Sequence, residues 1–241
     1  MEEKQAELIR IENPEECSIV ERLNRFVVMI EITGSYHPAH ITNTGRLSEL
    51  LVRGRKAFCF RTRNTPKTDY RLFAIEERGL GALIDTQLQM KAFEGALERN
   101  LIPWLAGCRI VKRNAKLSIS SRIDYLLGCH GRDVYFEVKS AVLRAGDYAM
   151  YPDCPSDRGR GHIKELSRYV EEGGGKGTLL FMAALPFVKA FKPNKAADPK
   201  LYDALKEANS SGVAIRALGL YYHPNDAFVH LYNPDLEITL P

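Results

Sequence analysis

Apolar and polar residues alternate with a period of two along much of this chain, and the pattern is sharpest over residues 118–143. Ile119, Ile123, Tyr125 and Leu127 fall on one side of a strand, which leaves Arg122 and Asp124 together on the other. Residues 128–133 are polar and contain glycine, a turn. In the returning strand Val134, Phe136 and Val138 alternate with Tyr135, Glu137 and Lys139. The stretch therefore predicts a β-hairpin with charged residues on one face.

The same period marks short strands over 19–32, 35–41, 53–62, 70–76 and 80–84, separated by turn residues at Gly34, 43–45 and 64–66. Five short strands predict a small barrel, and an OB-like barrel fits that count. Residues 1–16 are acidic and polar and read as a lead-in or frayed terminus. From 87 to 99 the period changes to that of a helix with Leu88, Ala92 and Leu97 inward, Asn100 closing it and Glu94 riding on it. Pro103 and Trp104 lead into a strand over 109–116. Beyond the hairpin lies a proline- and glycine-punctuated loop, a helix capped by Ser156 or Asp157 with Ile163, Leu166, Tyr169 and Val170 on one face, and a glycine run. That run, GGGKGT, is no P-loop, because a helix precedes it and Gly177 follows Lys176. A strand over 178–184, a helix over 199–210 and strands over 213–222 and 228–232 complete a mixed α/β layer. The expected organisation is a barrel over 1–85 and an α/β domain over 86–241.

Composition narrows the class. Of 241 residues 45% are apolar, enough for a core. No apolar run approaches the roughly 18 residues of a membrane span, and the first residues lack the order of a secretory signal, so the expected address is cytoplasmic, with no membrane partner. Five scattered cysteines, without a C-x-x-C pair, read as reduced and structural. A net charge of +4 alone does not imply nucleic acid. Its distribution does more: Arg46, Arg53, Arg55, Lys56, Arg61, Arg63, Lys67 and Arg71 face only Glu49 and Asp69 over that stretch. Interleaved with Phe58, Phe60 and Tyr70, they predict a surface that tracks a phosphate backbone and stacks bases. His37 and His40 read as ordinary loop histidines, whereas His162, beside the capped loop, is a candidate functional histidine.

The charged hairpin face has two readings. A solvated strand or a structural ion pair explains any one of its residues. An aspartate on one strand and Glu-x-Lys on the next is also the set that holds a hard divalent cation on carboxylate oxygens and puts an amine beside its water.

Several ordered motifs carry a family resemblance: Asn43-Thr44-Gly45; Ser120-Ser121-Arg122-Ile123-Asp124; Glu137-Val138-Lys139-Ser140; Tyr151-Pro152-Asp153, then Arg158-Gly159 and His162; Phe191, Pro193, Asp198-Pro199 and Tyr202; and Gly212-Val213. The chain resembles the sugar fermentation stimulation protein (SfsA) family nearly end to end. The resemblance implies an N-terminal OB-like barrel, a restriction-endonuclease-like mixed α/β domain similar to the PD-(D/E)xK nucleases, and DNA binding. It implies catalytic roles for Asp124, Glu137 and Lys139, with Asp124 and Glu137 holding Mg²⁺ or Mn²⁺, helped by the Val138 carbonyl and Glu94. DNA contacts are expected at Asn43, Arg46, Arg53, Arg55, Lys56, Arg61, Arg63, Arg122, Arg158 and His162. The chain departs from the family pattern at Ser156, Asp157 and Gly161, and it lacks the usual Pro-Asn near Met90, which leaves the role of Glu94 open. Two functions compete: a DNA-binding, metal-dependent phosphodiesterase, and a DNA-binding regulatory protein on the same scaffold without turnover.

Overall fold

The structure, a computed structural model, describes residues 5–62, 68–118 and 121–240. Arg63, Lys67, the turn expected at 64–66, and Ile119 and Ser120 lie outside the described residues. The expected polar lead-in contains a strand, β1 (Ala6–Arg10), which runs antiparallel to β16 (Phe228–Asn233) at the other end of the chain. A partner more than 200 residues away leaves no local signal, so only the tertiary structure shows why the half-buried Ala6, Leu8 and Ile9 are apolar.

The barrel is made of β2 (Glu15–Arg22), β3 (Val27–Ile32), β4 (Ser35–His40), β5 (Lys56–Arg61) and β6 (Tyr70–Glu77), ordered β4-β3-β2-β5-β6. A short parallel pairing of β4 with β6 closes the ring. Alternation fills it, with Val28, Ile30 and Ile32 of β3 buried between half-buried neighbours. The strand count is the expected one, but two of the members differ. The single strand expected over 19–32 is a hairpin, turned where the Asn24 carboxamide oxygen accepts from the Phe26 N–H at 2.9 Å. The last expected strand, β7 (Leu80–Leu83), leaves the ring and carries the sheet into the second domain, pairing Gly81 with Tyr222 of β15 (Ala214–His223). A Cβ on Gly81 would lie 2.9 Å from the Tyr222 ring, so this junction requires glycine.

The second domain begins with α1 (Thr86–Glu98). Asp85 caps it, accepting from the Leu88 N–H at 2.8 Å while Arg71 of the barrel grips the same fully buried carboxylate through both its oxygens. Asn100, with φ of 53°, turns the chain out of the helix. After a 3-10 turn at Pro103–Leu105 come β8 (Cys108–Lys116), β9 (Arg122–Cys129) and β10 (Arg132–Ser140), a meander whose last two strands are the charged hairpin. In the expected loop β11 (Leu143–Ala145) and β12 (Tyr148–Tyr151) form a second hairpin, which joins β14 (Ala190–Pro193) and β17 (Glu237–Ile238) in a small separate sheet. The helices α2 (Asp157–Glu171) and α3 (Pro199–Ser210) make the crossovers between the parallel strands β10, β13 (Lys176–Ala183) and β15.

The main sheet has two faces. On one, Phe93 of α1 packs against Tyr125 and Phe136, with Trp104 stacked on Phe136. On the other, Tyr169 of α2 meets Tyr135. The two period-two sets of the hairpin therefore point to different helices. The cysteines correct one expectation: Cys108 and Cys129 face each other across β8 and β9 and form a disulfide. Only strand register brings them opposite one another, whereas Cys17, Cys59 and Cys154 remain thiols.

Candidate active site

Asp124 of β9 and Glu137 and Lys139 of β10 project from the α2 face of the sheet, as the alternation predicts. The Val138 N–H donates to Asp124 Oδ2 at 2.8 Å, which ties the two strands' charged residues together. Lys139 Nζ and His162 Nδ1 both lie 2.5 Å from one oxygen of Glu137, Oε1. The other oxygen, Oε2, is buried among the described residues without a hydrogen-bond partner.

The local fold sets these positions. His162 stands in the first turns of α2, whose start is fixed by Ser156 accepting from the Gly159 N–H at 3.0 Å. Asp198 anchors that start from α3: one oxygen takes the Leu201 N–H, and the other takes the Ser156 N–H at 2.9 Å and Arg160 at 2.5 Å. The barrel contributes a wall through the loop after β4. Asn43 accepts from the Gly45 N–H at 2.9 Å and donates to Ser140 Oγ at 3.2 Å, while Asp153 accepts the Leu47 N–H at 2.8 Å. Arg22 holds the loop from behind through the Gly45 and Arg46 carbonyls at 2.5 and 2.6 Å. A Cβ on Gly45 would lie 2.7 Å from the Asp153 carboxylate, so the contact needs that glycine.

These elements enclose a cleft of about 440 Å³ lined by Asp124, Glu137, Lys139, His162, Arg158, Arg25 and residues 42–45 and 47. A neighbouring cavity of about 470 Å³ shares Asp124, Arg158 and His162 and adds Lys116 and Arg122. Burial, followed by the charge of Glu137, pushes the Asp124 carboxyl up to about 6, against the opposing pull of the Val138 N–H, Lys139 and His162. Burial acts the same way on Glu137, but the His162 bond and the Lys139 charge outweigh it and hold this carboxyl below its ordinary value. For Lys139 burial favours the neutral amine, yet Glu137 outweighs it and the ammonium is kept. The site thus holds one firmly ionised carboxylate, one reluctant one and one buried ammonium.

Its donors suit a hard cation. Two carboxylates sit side by side, and one of their oxygens is buried without a partner, which costs free energy unless something positive occupies the space before it. Among the described residues no group of three or more His, Cys, Asp or Glu side chains forms a metal-binding cluster. A cation here would complete its shell with backbone oxygen, water and ligand phosphate, the habit of Mg²⁺.

The remaining expected site residues divide sharply. Asn43, Arg158 and His162 line the cleft, and Arg122 lines the adjoining cavity. Glu94 does not join them. It lies on the α1 face, where Arg113 holds both its oxygens at 2.8 Å and the Tyr125 hydroxyl donates to it at 2.9 Å. Arg46 and Arg53 are exposed and line neither cavity. Arg55 donates to the Glu76 and Glu49 carbonyls, Lys56 pairs with Glu16 at 2.6 Å, and Arg61 donates to the Tyr70 hydroxyl. Of the aromatics expected to stack bases, Phe60 and Tyr70 line a separate cavity of about 790 Å³ with Arg61, but Phe58 and Tyr70 are buried and Phe60 is half-buried, in contact with Phe73, Tyr222 and His37. Alternation fails there because a small closed barrel buries large rings inside it. The reading from sequence missed Arg22 and Arg25, and quoted Asp153 and Asp198 only within motifs, without a role at the site. Pro199 after an aspartate was a signal for the last of these, because Asp before N1 proline caps a helix.

Comparison with known proteins agrees with this architecture. Residues 20–84 match the family model described as the SfsA N-terminal OB domain, and 87–226 match the sugar fermentation stimulation protein RE domain. A sugar fermentation stimulation protein homolog of Pyrococcus furiosus is 46% identical over 226 residues, covering 92% of this chain and 95% of that protein. One from Archaeoglobus fulgidus is 45% identical over 235 residues, 97% of this chain and 99% of its own length. The solved structure of Pyrococcus furiosus SfsA in complex with Ca²⁺ superposes with a TM-score of 0.93 at 43% identity, over 98% of this chain and all of that one. With both domains matched in order and relatives this close over nearly the whole length, the chain belongs to the sugar fermentation stimulation protein family.

Proposed function

We propose that this protein binds DNA and hydrolyses its phosphodiester bonds with a divalent cation, Mg²⁺ or Mn²⁺, at the cleft built on Asp124 and Glu137. The observation that carries the reading is the convergence of those two carboxylates with Lys139 and His162, with Glu137 Oε2 buried and unpartnered beside a cleft that Arg25 and Arg158 line. A purely structural ion pair between Glu137 and Lys139 explains neither the second carboxylate nor the unpartnered oxygen. The relative from Pyrococcus furiosus was solved with Ca²⁺, another hard cation that takes oxygen ligands, which supports the choice of metal class. When bound, the metal neutralises phosphate charge and acidifies a water. Asp124 and Glu137 hold it. Lys139 orients the attacking water and stabilises negative charge as it grows on the phosphoryl oxygens. His162 fixes Glu137 through Oε1, which leaves Oε2 for the cation. Arg25, Arg158 and Arg122 take the flanking phosphates without reading bases, so sequence preference is weak.

The test incubates the purified protein with end-labelled single- and double-stranded DNA, with EDTA, Mg²⁺ or Mn²⁺. Cleavage only with metal, lost in Lys139→Ala, is the expected result. Retarded migration without cleavage under every metal condition would reject the catalytic half and leave a DNA-binding protein on this scaffold.

A further inference from the structure

A further cavity lies on the opposite face of the same sheet, at the other end of the parallel strands. It measures about 420 Å³, within the range of small-ligand pockets. Register explains its lining. Val134 of β10 is level with Lys176 of β13, Phe136 with Thr178, and Thr178 with Ala214 of β15. By the period of two, Arg132, Lys176 and Arg216 therefore emerge on one face, at the N-terminal ends of three neighbouring strands. This is the face that α1 covers further along, where it is apolar. Here, among the described residues, the three cations line one cavity with the indole of Trp104.

Among the described residues no carboxylate lines this pocket. Arg216 pairs with Asp235 at 3.2 Å, outside the lining, and its guanidinium lies 5.3 Å over the Trp104 ring. Trp104 is itself fixed, donating from Nε1 to the Pro234 carbonyl at 2.8 Å and stacked on Phe136 at 12° between planes. Arg132 and Lys176 are exposed. His130 stands at the rim, and the Cys108–Cys129 disulfide ties the two walls together. Arg132 and Lys176 beside a half-apolar hollow call for an anion, and the Trp104 indole with the Arg216 guanidinium held against it offers a flat ring a wall to lie along.

We propose that this pocket binds a nucleotide, its base against Trp104 and Arg216 and its phosphate at Arg132 and Lys176. The site is independent of the cleft at Glu137, because the sheet lies between them, and the proposal stands whether or not that cleft cleaves DNA. The ligand is either a free nucleotide or a nucleotide of a nucleic-acid strand, since the recognised chemistry is the same.

Trp104 is the only tryptophan of the chain, so intrinsic fluorescence reports this pocket directly. Titration of the full chain with adenosine 5′-monophosphate at low salt is expected to give a saturable change in emission. Adenosine, lacking the phosphate, should bind at least about tenfold more weakly, and Arg132→Ala combined with Lys176→Ala should weaken the nucleotide about tenfold or more, the scale of a lost charge-assisted contact. An oligodeoxynucleotide that binds about tenfold tighter than the mononucleotide, and loses that advantage in the double variant, identifies a strand as the source; equal affinity identifies the free nucleotide. No saturable change with either probe, or the same change in the folded double variant, would overturn the proposal. Circular dichroism confirms folding of the variant.

Discussion

Glu137 and Asp124 are both carboxylates at one site, yet their surroundings make them respond oppositely to loss of charge. Glu137 neutralises a buried ammonium, so Glu137→Gln leaves Lys139 unpaired and should destabilise the metal-free protein by about 3 kcal/mol. Asp124 is ionised against burial and a neighbouring negative charge, so Asp124→Asn, which still accepts from Val138, should leave the metal-free melting temperature unchanged or raise it at pH 8. Thermal melts with EDTA and with Mn²⁺ check both: wild type should gain stability with metal, and neither variant should. A large loss of metal-free stability in Asp124→Asn would mark that residue as structural. Glu94 belongs to a different test. The Arg113 bond lowers its carboxyl, reinforced by Tyr125 and opposed by burial. A lowered carboxyl stabilises the fold above its unfolded pKa and loses that contribution as pH falls through the folded value. Glu94→Gln should therefore cost about 1 kcal/mol or less at pH 7, the pair being half-exposed, and less at pH 3 than at pH 7. Denaturant melts at the two pH values decide it, and unchanged metal affinity in this variant would separate Glu94 from the cleft.

At the scale of elements, α1 is joined to the barrel at its first residue. Asp85 serves as helix cap and as partner of Arg71, so one fully buried carboxylate fixes both the helix start and the barrel's last turn. Asp85→Ala removes a cap worth about 1 kcal/mol and leaves a half-buried guanidinium unpaired; a total loss of about 3–5 kcal/mol is expected from urea melts. Asp85→Asn keeps the cap and should cost clearly less. If the two substitutions cost the same, the cap contributes little and the ion pair alone fixes the junction. The helices over 86–98, 157–171 and 199–210 were legible from caps and apolar spacing because these signals are local. The hairpin over 15–32 was not read as two strands, because its turn, at Asn24 and Arg25, carries neither glycine nor proline. The sheet of β11, β12, β14 and β17 was missed for a related reason: its strands have two to four residues, too few to show a period.

For the whole molecule, the distribution of charge decides where DNA would lie. The basic stretch that stands out in the sequence is largely occupied by its own fold, with Arg55, Lys56 and Arg61 bonded within the barrel, whereas Arg25, Arg158 and Arg122 reach the cleft or its neighbour from three separate segments. Replacing those three together with alanine should weaken DNA binding at every sequence and reduce the slope of log affinity against log salt by about 2–3, whereas replacing Arg53 and Lys56 should change it by less than about 1. Fluorescence anisotropy across a salt series measures both, and a larger effect from the barrel pair would move the interface to the barrel. The sequence by itself determined the barrel-then-α/β order, the three helices, and the placing of Asp124, Glu137 and Lys139 on one face, because a strand's period of two and a helix's caps act over a few residues. Only the tertiary structure decided that His162 and the Asn43 loop complete that face, that Glu94 lies behind the sheet, that Cys108 meets Cys129, and that Arg132, Lys176 and Arg216 gather at Trp104. Each of these depends on strand register or on contacts across tens of residues, where packing of the whole chain, not local spacing, sets which side chains meet.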